Sequence, residues 1–305
     1  GWVGDSGNAE NTGPHLHFEL RDPEGTIVDP YESLLAAPRV DLNFYCLDRA
    51  VTLIGTSGDD VLVGTEGDDV IHGLGGDDQI DGLGGDDRIC GGAGHDTLVG
   101  GPGDDRLEGR RGADVLQGGP GADILYGGVG NDTLQGGNGP DKLYGEEDND
   151  RLYGGAGDDT LGGSHGRDIL DPGPGTDYAF GAAGKDLFLA AEGTNTFRGG
   201  KNDDTVDYRY AEYGAMVDLA AGTGIGNGTE DLDEIEHVNG SPSADVVTGN
   251  GLANLLRGFG GDDILTGAEG DDRLNGGKGD DELDGGPGDD RCRRGCAIDC
   301  ETPIA

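Results

Sequence analysis

Aromatic side chains are scarce in this chain of 305 residues: one Trp, six Phe and nine Tyr. They cannot build a large aromatic core. Leu, Ile, Val and Phe together supply roughly a fifth of the residues, near the composition at which highly charged chains stay unfolded. Basic residues are scarce as well, 20 against 62 acidic ones, for a formal net charge of −42. That balance repels nucleic acid and anionic membrane surfaces, and it attracts cations. No apolar run is long enough to span a membrane. The chain begins at Gly1, not Met, and so reads as a fragment or processed product with any export signal upstream. By composition alone it stays disordered unless something neutralises its carboxylates.

Gly is abundant, 66 residues, and it is periodic. From Gly55 the sequence repeats every nine residues: GTSGDDVLV, GTEGDDVIH, GLGGDDQID, GLGGDDRIC, GGAGHDTLV, GGPGDDRLE. Seventeen windows keep register to Asp207, and six more run from Gly240 to Arg293. Over these 23 windows the first position is Gly in 21, the fourth is Gly in 19 and the sixth is Asp in 21. The eighth is apolar in all 23 if Ala179 and Cys292 are admitted. A solvated acidic linker would not hold an apolar residue at fixed phase over such a length.

The spacing predicts a six-residue turn followed by a three-residue strand. Gly serves where the backbone needs positive φ or close packing. Alternation points the eighth residue inward and its neighbours outward. Two windows close one coil of 18 residues. At about 4.8 Å per coil, seventeen windows make a roll roughly 40 Å long. Its core is a thin ladder including Leu98, Leu107, Leu116, Leu125 and Leu134, too thin to hold the coil unaided.

Turns two windows apart then lie above one another, and their sixth-position carboxylates and turn carbonyls face a shared gap. Hard oxygen ligands in loose geometry suit Ca²⁺. The expected calcium ligands are Asp60, Asp69, Asp78, Asp87, Asp96, Asp105, Asp114, Asp123, Asp132, Asp141, Asp150, Asp159, Asp168, Asp204, Asp245, Asp263, Asp272, Asp281 and Asp290. Pairing each window with the one two along allows at most about 19 ions, whose charge of about +38 would nearly cancel the surplus. The windows Gly145–Tyr153, Pro172–Phe180 and Ala190–Arg198 depart from the pattern, and Asn254 replaces Asp in Gly249–Arg257, which marks a weak site.

Over Gly55–Asp207 and Gly240–Arg293 the chain resembles the RTX (repeats-in-toxin) calcium-binding nonapeptide family, consensus GGxGxDxUx. The resemblance implies an all-β fold, a parallel β-roll in two arrays that folds on binding calcium, and secretion. Between the arrays, Ala215–Leu219 and Glu234–Val238 alternate like strands about a Gly-rich turn. They predict a β-hairpin-like cap or bend over residues 208–239.

The first twenty residues, GWVGDSGNAENTGPHLHFEL, hold two protease-like strings. GDSG resembles the nucleophile loop of chymotrypsin-like serine proteases. That chemistry needs a His base and an Asp orienter besides Ser6, and in that chain order both precede the serine, where only five residues stand here. HLHFEL as a strand puts His15, His17 and Glu19 on one face and Leu16, Phe18 and Leu20 on the other. RDPEGTIVDPYESLL adds a turn at Asp22–Gly25 and a second strand. On Gly4, Ser6, Gly7, Gly13, Pro14, HLHFE, Gly25, Asp29 and Pro30, residues 1–34 resemble the C-terminal end of a lysostaphin-type (LytM-like) zinc endopeptidase domain. The resemblance implies His17 as a zinc ligand, His15 as a catalytic histidine, and peptidoglycan as substrate, so a cell-wall partner. A catalytic zinc takes three protein ligands. The family's HxxxD-type segment is absent, so the chain itself is expected to be inactive and Zn²⁺ to belong to an intact parent. His72, His95, His165 and His237 lack ligand spacing and read as surface residues.

Five cysteines leave one odd. In an acidic, exported chain disulfides are the default. Cys90 is ninth in its window and Cys46 lies just before the roll, so a Cys46–Cys90 disulfide is expected to pin residues 35–54 over the first coils. Of Cys292, at the end of the second array, and Cys296 and Cys300, in the tail of residues 294–305, two are expected to pair. A three-Cys zinc site there would lack a fourth ligand. Three readings of function follow: a calcium-folded secreted module, a cell-wall endopeptidase with the roll as stalk or anchor, and a surface adhesin rod.

Overall fold

The structure, a computed structural model, describes residues 20–21, 27–28, 45–46, 49–294 and 296–298. The chain divides into two units, Gly1–Phe44 and Tyr45–Ala305. In the first, Leu20–Arg21 pairs antiparallel with Ile27–Val28; the turn expected at Asp22–Gly25 lies outside the described residues. His15, His17, Ser6 and most of the HLHFEL segment lie outside the described residues.

The second unit is a parallel β-roll. Successive windows alternate between two sheets, of 13 and 16 strands. Within each sheet the register step is 18 residues: Leu98 stands beside Leu116 in one and Leu107 beside Leu125 in the other. All regular structure among the described residues is β. The eighth-position ladder is the core. From Ile71 to Val206 and from Val247 to Cys292 it is completely or almost completely buried. Small Ala179 is followed by Phe188 and Phe197, whose stacked rings, 5.4 Å between centroids, restore the volume it gives up.

The strands differ from the expected three residues. Many have six, such as Arg106–Arg111, which joins the last three residues of one window to the first three of the next. The parallel ladder therefore runs through positions once assigned to the turn, and the tight bend is confined to the fourth to sixth. Within such a strand, positive φ at the second position turns the chain without ending the pairing. Leu74 (83°), Arg110 (83°) and Ser164 (81°) adopt it as well as Gly. Asp148 in GEEDNDRLY takes the fourth-position Gly's positive φ, 77°, so that irregular window is still built. The roll also exceeds the arrays by one strand at each end: Leu53–Ile54 pairs with the window strand at Ile71, and Cys296–Ile298 with Glu282–Asp284.

The insertion is more than one hairpin. Met216–Asp218 and Thr223–Ile225 form an antiparallel pair. Thr223–Ile225 also pairs antiparallel with Thr229–Asp233, which resumes the parallel ladder beside Thr194–Lys201. The expected strand Glu234–Val238 is not formed. Glu234 has φ 56°, and pairing resumes only at His237–Asn239. One sheet thus gains two strands here, of which Thr223–Ile225 is antiparallel to both its neighbours and Met216–Asp218 rejoins Val246–Thr248 in parallel, while the other steps directly from Thr205–Asp207 to His237–Asn239. Two strand spacings amount to about 9.6 Å of extra length on one face. Tyr208, fully buried, packs at this junction against Gly224 and Gly226, where a Cβ would collide with its ring or hydroxyl.

Cys46 and Cys90 form the expected disulfide, Cα atoms 5.8 Å apart, and both are buried. The covering strand Tyr45–Cys46 also corrects the reading of His72 as a surface residue. His72 neighbours Cys90 in the sheet, is 2 % exposed, and has its Nε2 3.1 Å from Arg110 Nη1. His95 and His165 are exposed and His237 is half-buried. Cys292 is also disulfide-bonded. The pairing expected among Cys292, Cys296 and Cys300 falls partly outside the described residues, which do not include Cys300 or the Cys296 side chain.

Candidate metal centres

The turns of alternate windows stack along two edges of the roll. One carries Asp60, Asp78 and so on to Asp204, and the other Asp69, Asp87 and so on to Asp177. Along each edge the sixth-position N–H donates to Oδ1 of the Asp one coil ahead: Asp96 to Asp114 at 2.8 Å, Asp105 to Asp123 at 2.8 Å, Asp132 to Asp150 at 2.8 Å. Fifth-position residues form an exposed outer row bonded in the reverse sense, as when Asp77 N–H donates to Asp59 Oδ1. One carboxylate oxygen per buried Asp is thereby satisfied and locked.

The other is not. In eighteen of these aspartates, from Asp78 to Asp290, Oδ2 is buried without a hydrogen-bond donor. A Cβ placed on Gly73 would stand 2.2 Å from Asp78 Oδ2 and 2.7 Å from the Gly91 carbonyl oxygen. Two acceptors from adjacent coils therefore face one point, and the first-position Gly leaves that point clear. The same pair recurs at Gly82, Gly136 and Gly267. At Gly154 the carbonyl comes from Pro172, so the PGPG window keeps the geometry.

Burial raises most of these carboxyls above their ordinary range, reinforced at many of them by neighbouring carboxylates. Asp150 is pushed up to about 8 by burial, with Asp132 and Asp168 adding repulsion. Asp105, Asp141, Asp204 and Asp263 rise to about 7, burial again first. Paired acceptors with no donor between them call for a proton or a cation. Among the described residues no three His, Cys, Asp or Glu side chains converge on one point. An ion here draws on one or two carboxylates plus main-chain carbonyls, an all-oxygen set that suits hard cations such as Ca²⁺ and not zinc.

Not every candidate has a free oxygen. The hydroxyls of Thr56 and Thr65 each donate to Oδ2 of Asp60 and Asp69 at 2.9 Å. At the start of the second array Ser241 N–H donates to Asp245 Oδ2 and its hydroxyl to Oδ1. Both arrays thus begin with a hydroxyl in the second position. Asn254 supplies its own donor: Nδ2 reaches the Glu236 carbonyl at 2.8 Å, as expected of a weak site. Conversely, Asp177 and Asp186 belong to the same rows with free Oδ2 atoms, although neither was a candidate. Each is sixth in its window, and that signal was sufficient to find them.

The family model "RTX calcium-binding nonapeptide repeat (4 copies)" matches the chain in overlapping segments over residues 54–206 and 239–292, about two thirds of its length. No curated protein matches it.

Proposed function

Because the chain belongs to the RTX calcium-binding nonapeptide repeat family, we propose that calcium is the folding ligand of the roll, held between coils by the sixth-position aspartates that have a free Oδ2. That buried, donorless oxygen, repeated eighteen times, is the observation that carries the reading. Asp78 to Asp204 on the first array, and Asp263, Asp272, Asp281 and Asp290 on the second, supply the carboxylates. First-position carbonyls one coil ahead supply further ligands. Bound calcium offsets the like-charge repulsion that otherwise keeps such a chain open. Millimolar extracellular calcium then makes folding follow export, which fits a secreted protein.

The test is far-UV circular dichroism of the chelator-stripped chain at pH 8, titrated with calcium. A cooperative coil-to-β transition at roughly 10⁻⁴–10⁻³ M is expected for an extracellular module. A fully formed β spectrum in chelator at that pH would show that the turns hold without the ion.

The peptidase reading concerns a longer chain. It is supported by the string GPHLHFE alone, with His17 as ligand and His15 as catalytic partner once an upstream HxxxD segment completes the site. Zinc retention and peptidoglycan cleavage by a chain extended through that segment would test it; metal-free, inactive protein would end it.

A further inference from the structure

The family match stops at residue 206 and resumes at 239, and the segment between them, GTEDLDEIEHV at its end, has no nonapeptide. The structure nevertheless rebuilds one turn of the ladder there. In a regular turn three features recur: an Asp with a free Oδ2, a carbonyl from the next coil facing it across the first-position Gly, and the next coil's carboxylate accepting the Asp N–H. All three recur at Asp204. Its Oδ1 accepts the Asp186 N–H at 2.7 Å, while its Oδ2 is buried without a donor. A Cβ on Gly199 would stand 2.5 Å from Asp204 Oδ2 and 1.9 Å from the carbonyl oxygen of Glu234. The Asp204 N–H donates to Glu236 Oε2 at 2.8 Å, the bond that a sixth-position Asp accepts elsewhere. Glu236 is 32 residues beyond Asp204, not 18, yet it occupies the same row.

We propose that Asp204, the Glu234 carbonyl and Glu236 form a divalent-cation site for calcium that the nonapeptide pattern does not mark, and that it carries one edge of the ion ladder across the insertion. The inference rests on the calcium reading of the rows. The longer Glu side chain compensates for the irregular backbone, since Glu234 leaves the strand with positive φ before Glu236 turns back. The positive φ of Glu234 also aims its carbonyl where a first-position Gly carbonyl stands in other coils. An open cleft of about 710 Å³ is lined by Glu234 and Glu236, with Asp231 and Asp233 among others. The next position of the row is interrupted, because the Asn254 amide donates to the Glu236 carbonyl, and donorless oxygens return at Asp272 and Asp290.

The sequence carries a faint mark of this site. An acid precedes a buried apolar residue by two positions, Glu236–Val238, as Asp204–Val206 does. Glu230–Leu232 repeats the pattern on the other edge, but Tyr208 donates its hydroxyl to Glu230 Oε2 at 3.0 Å, which occupies that oxygen.

Native mass spectrometry of the intact chain at saturating calcium counts the ions directly. Three variants decide the matter: Asp114→Asn in a regular turn, Glu236→Gln, and Asp204→Asn. Circular dichroism accompanies each to confirm the roll. The expected result is the loss of one ion from each variant. Loss from Asp114→Asn with the full complement retained by Glu236→Gln overturns the inference and leaves the calcium reading intact. If Glu236→Gln fails to fold, Asp204→Asn decides in the same way. A full complement in Asp114→Asn overturns the row reading and the inference with it.

Discussion

The metal-free roll is expected to reverse the usual pH dependence of folding. Its buried carboxyls have folded-state values raised above the unfolded 3.8, to about 6 at Asp96 and Asp123, about 7 at Asp105 and Asp141, and about 8 at Asp150. A group whose value is raised on folding contributes stability that is fully present below its unfolded value and lost as pH rises through the folded one. The window therefore opens near pH 4 and closes between about pH 6 and 8. One unit is about 1.4 kcal/mol, so ionising the Asp150 carboxyl in the folded chain costs on the order of 5 kcal/mol, and one at about 6 costs on the order of 3. Domains are stable by only about 5–15 kcal/mol, so ionisation of a few such groups exhausts the margin. Chelator-treated protein at low concentration, scanned from pH 5 to 8.5 by circular dichroism, should lose β structure as the pH rises. Calcium-loaded protein should keep it at pH 8.5. Acid should displace the ions, because protons and calcium compete for the same oxygens. An apo roll that gains structure with rising pH would refute the claim that burial and mutual repulsion govern these carboxyls.

Other perturbations follow from the same geometry. Leu125→Ala removes a fully buried rung and should cost about 2–5 kcal/mol, read as a lower urea midpoint in calcium. Cys46→Ser with Cys90→Ser opens a loop of 44 residues, worth about 4 kcal/mol by chain entropy, read as a lower urea midpoint in calcium than that of the unsubstituted chain. Gly136→Ala would put its methyl 2.5 Å from both Asp141 Oδ2 and the Gly154 carbonyl. It should therefore abolish one ion and cost about 1–3 kcal/mol as an overpacked site, with calorimetric stoichiometry as the check.

The parallel roll was legible because two signals repeat in phase. An apolar eighth residue in 23 windows and an acidic sixth in 21 of them leave little else that a chain of this composition can build. The Cys46–Cys90 bond was legible because the ninth position faces out and only a covering strand could meet it. What escaped was local. Positive φ at Leu74, Arg110 and Ser164 is not written in those residue types, since the stacked coils impose it, and so the six-residue strands were read as three. His72 is eccentric for the same reason. Its ninth-position side chain faces solvent in an isolated roll and is buried only by the strand that the disulfide holds down. Asp177 and Asp186 were legible as well, each sixth in its window, the first in a window that opens on Pro172 and the second in one with Gly at both the first and fourth positions. The histidines at 15 and 17 fall outside the described residues, so the zinc-endopeptidase likeness stays a matter of sequence.

The two edges of the roll treat the insertion differently, and that difference explains how one core can join two arrays. Coils in a solenoid stabilise one another only through nearest neighbours, so a break in the core ladder would make two independent domains. No such break occurs. Val206 is followed in register by Val238 and then Leu256, all buried, and on the other face Phe197 is followed by Leu232. The carboxylate rows are less forgiving, because a cation needs its oxygens in place, whereas an apolar side chain needs only volume. On one edge Glu236 stands in the row. On the other the row meets Asn195, then Glu230 with the Tyr208 hydroxyl, and resumes through Ala215, whose N–H donates to Asp245. Here an amide replaces the carboxylate at Asn195, a phenol donates to Glu230 and a main-chain N–H donates to Asp245. The longer face is therefore the one whose row of aspartates is interrupted at the insertion, and the two added strands lie in that interruption, where no repeating Asp has to be kept in register.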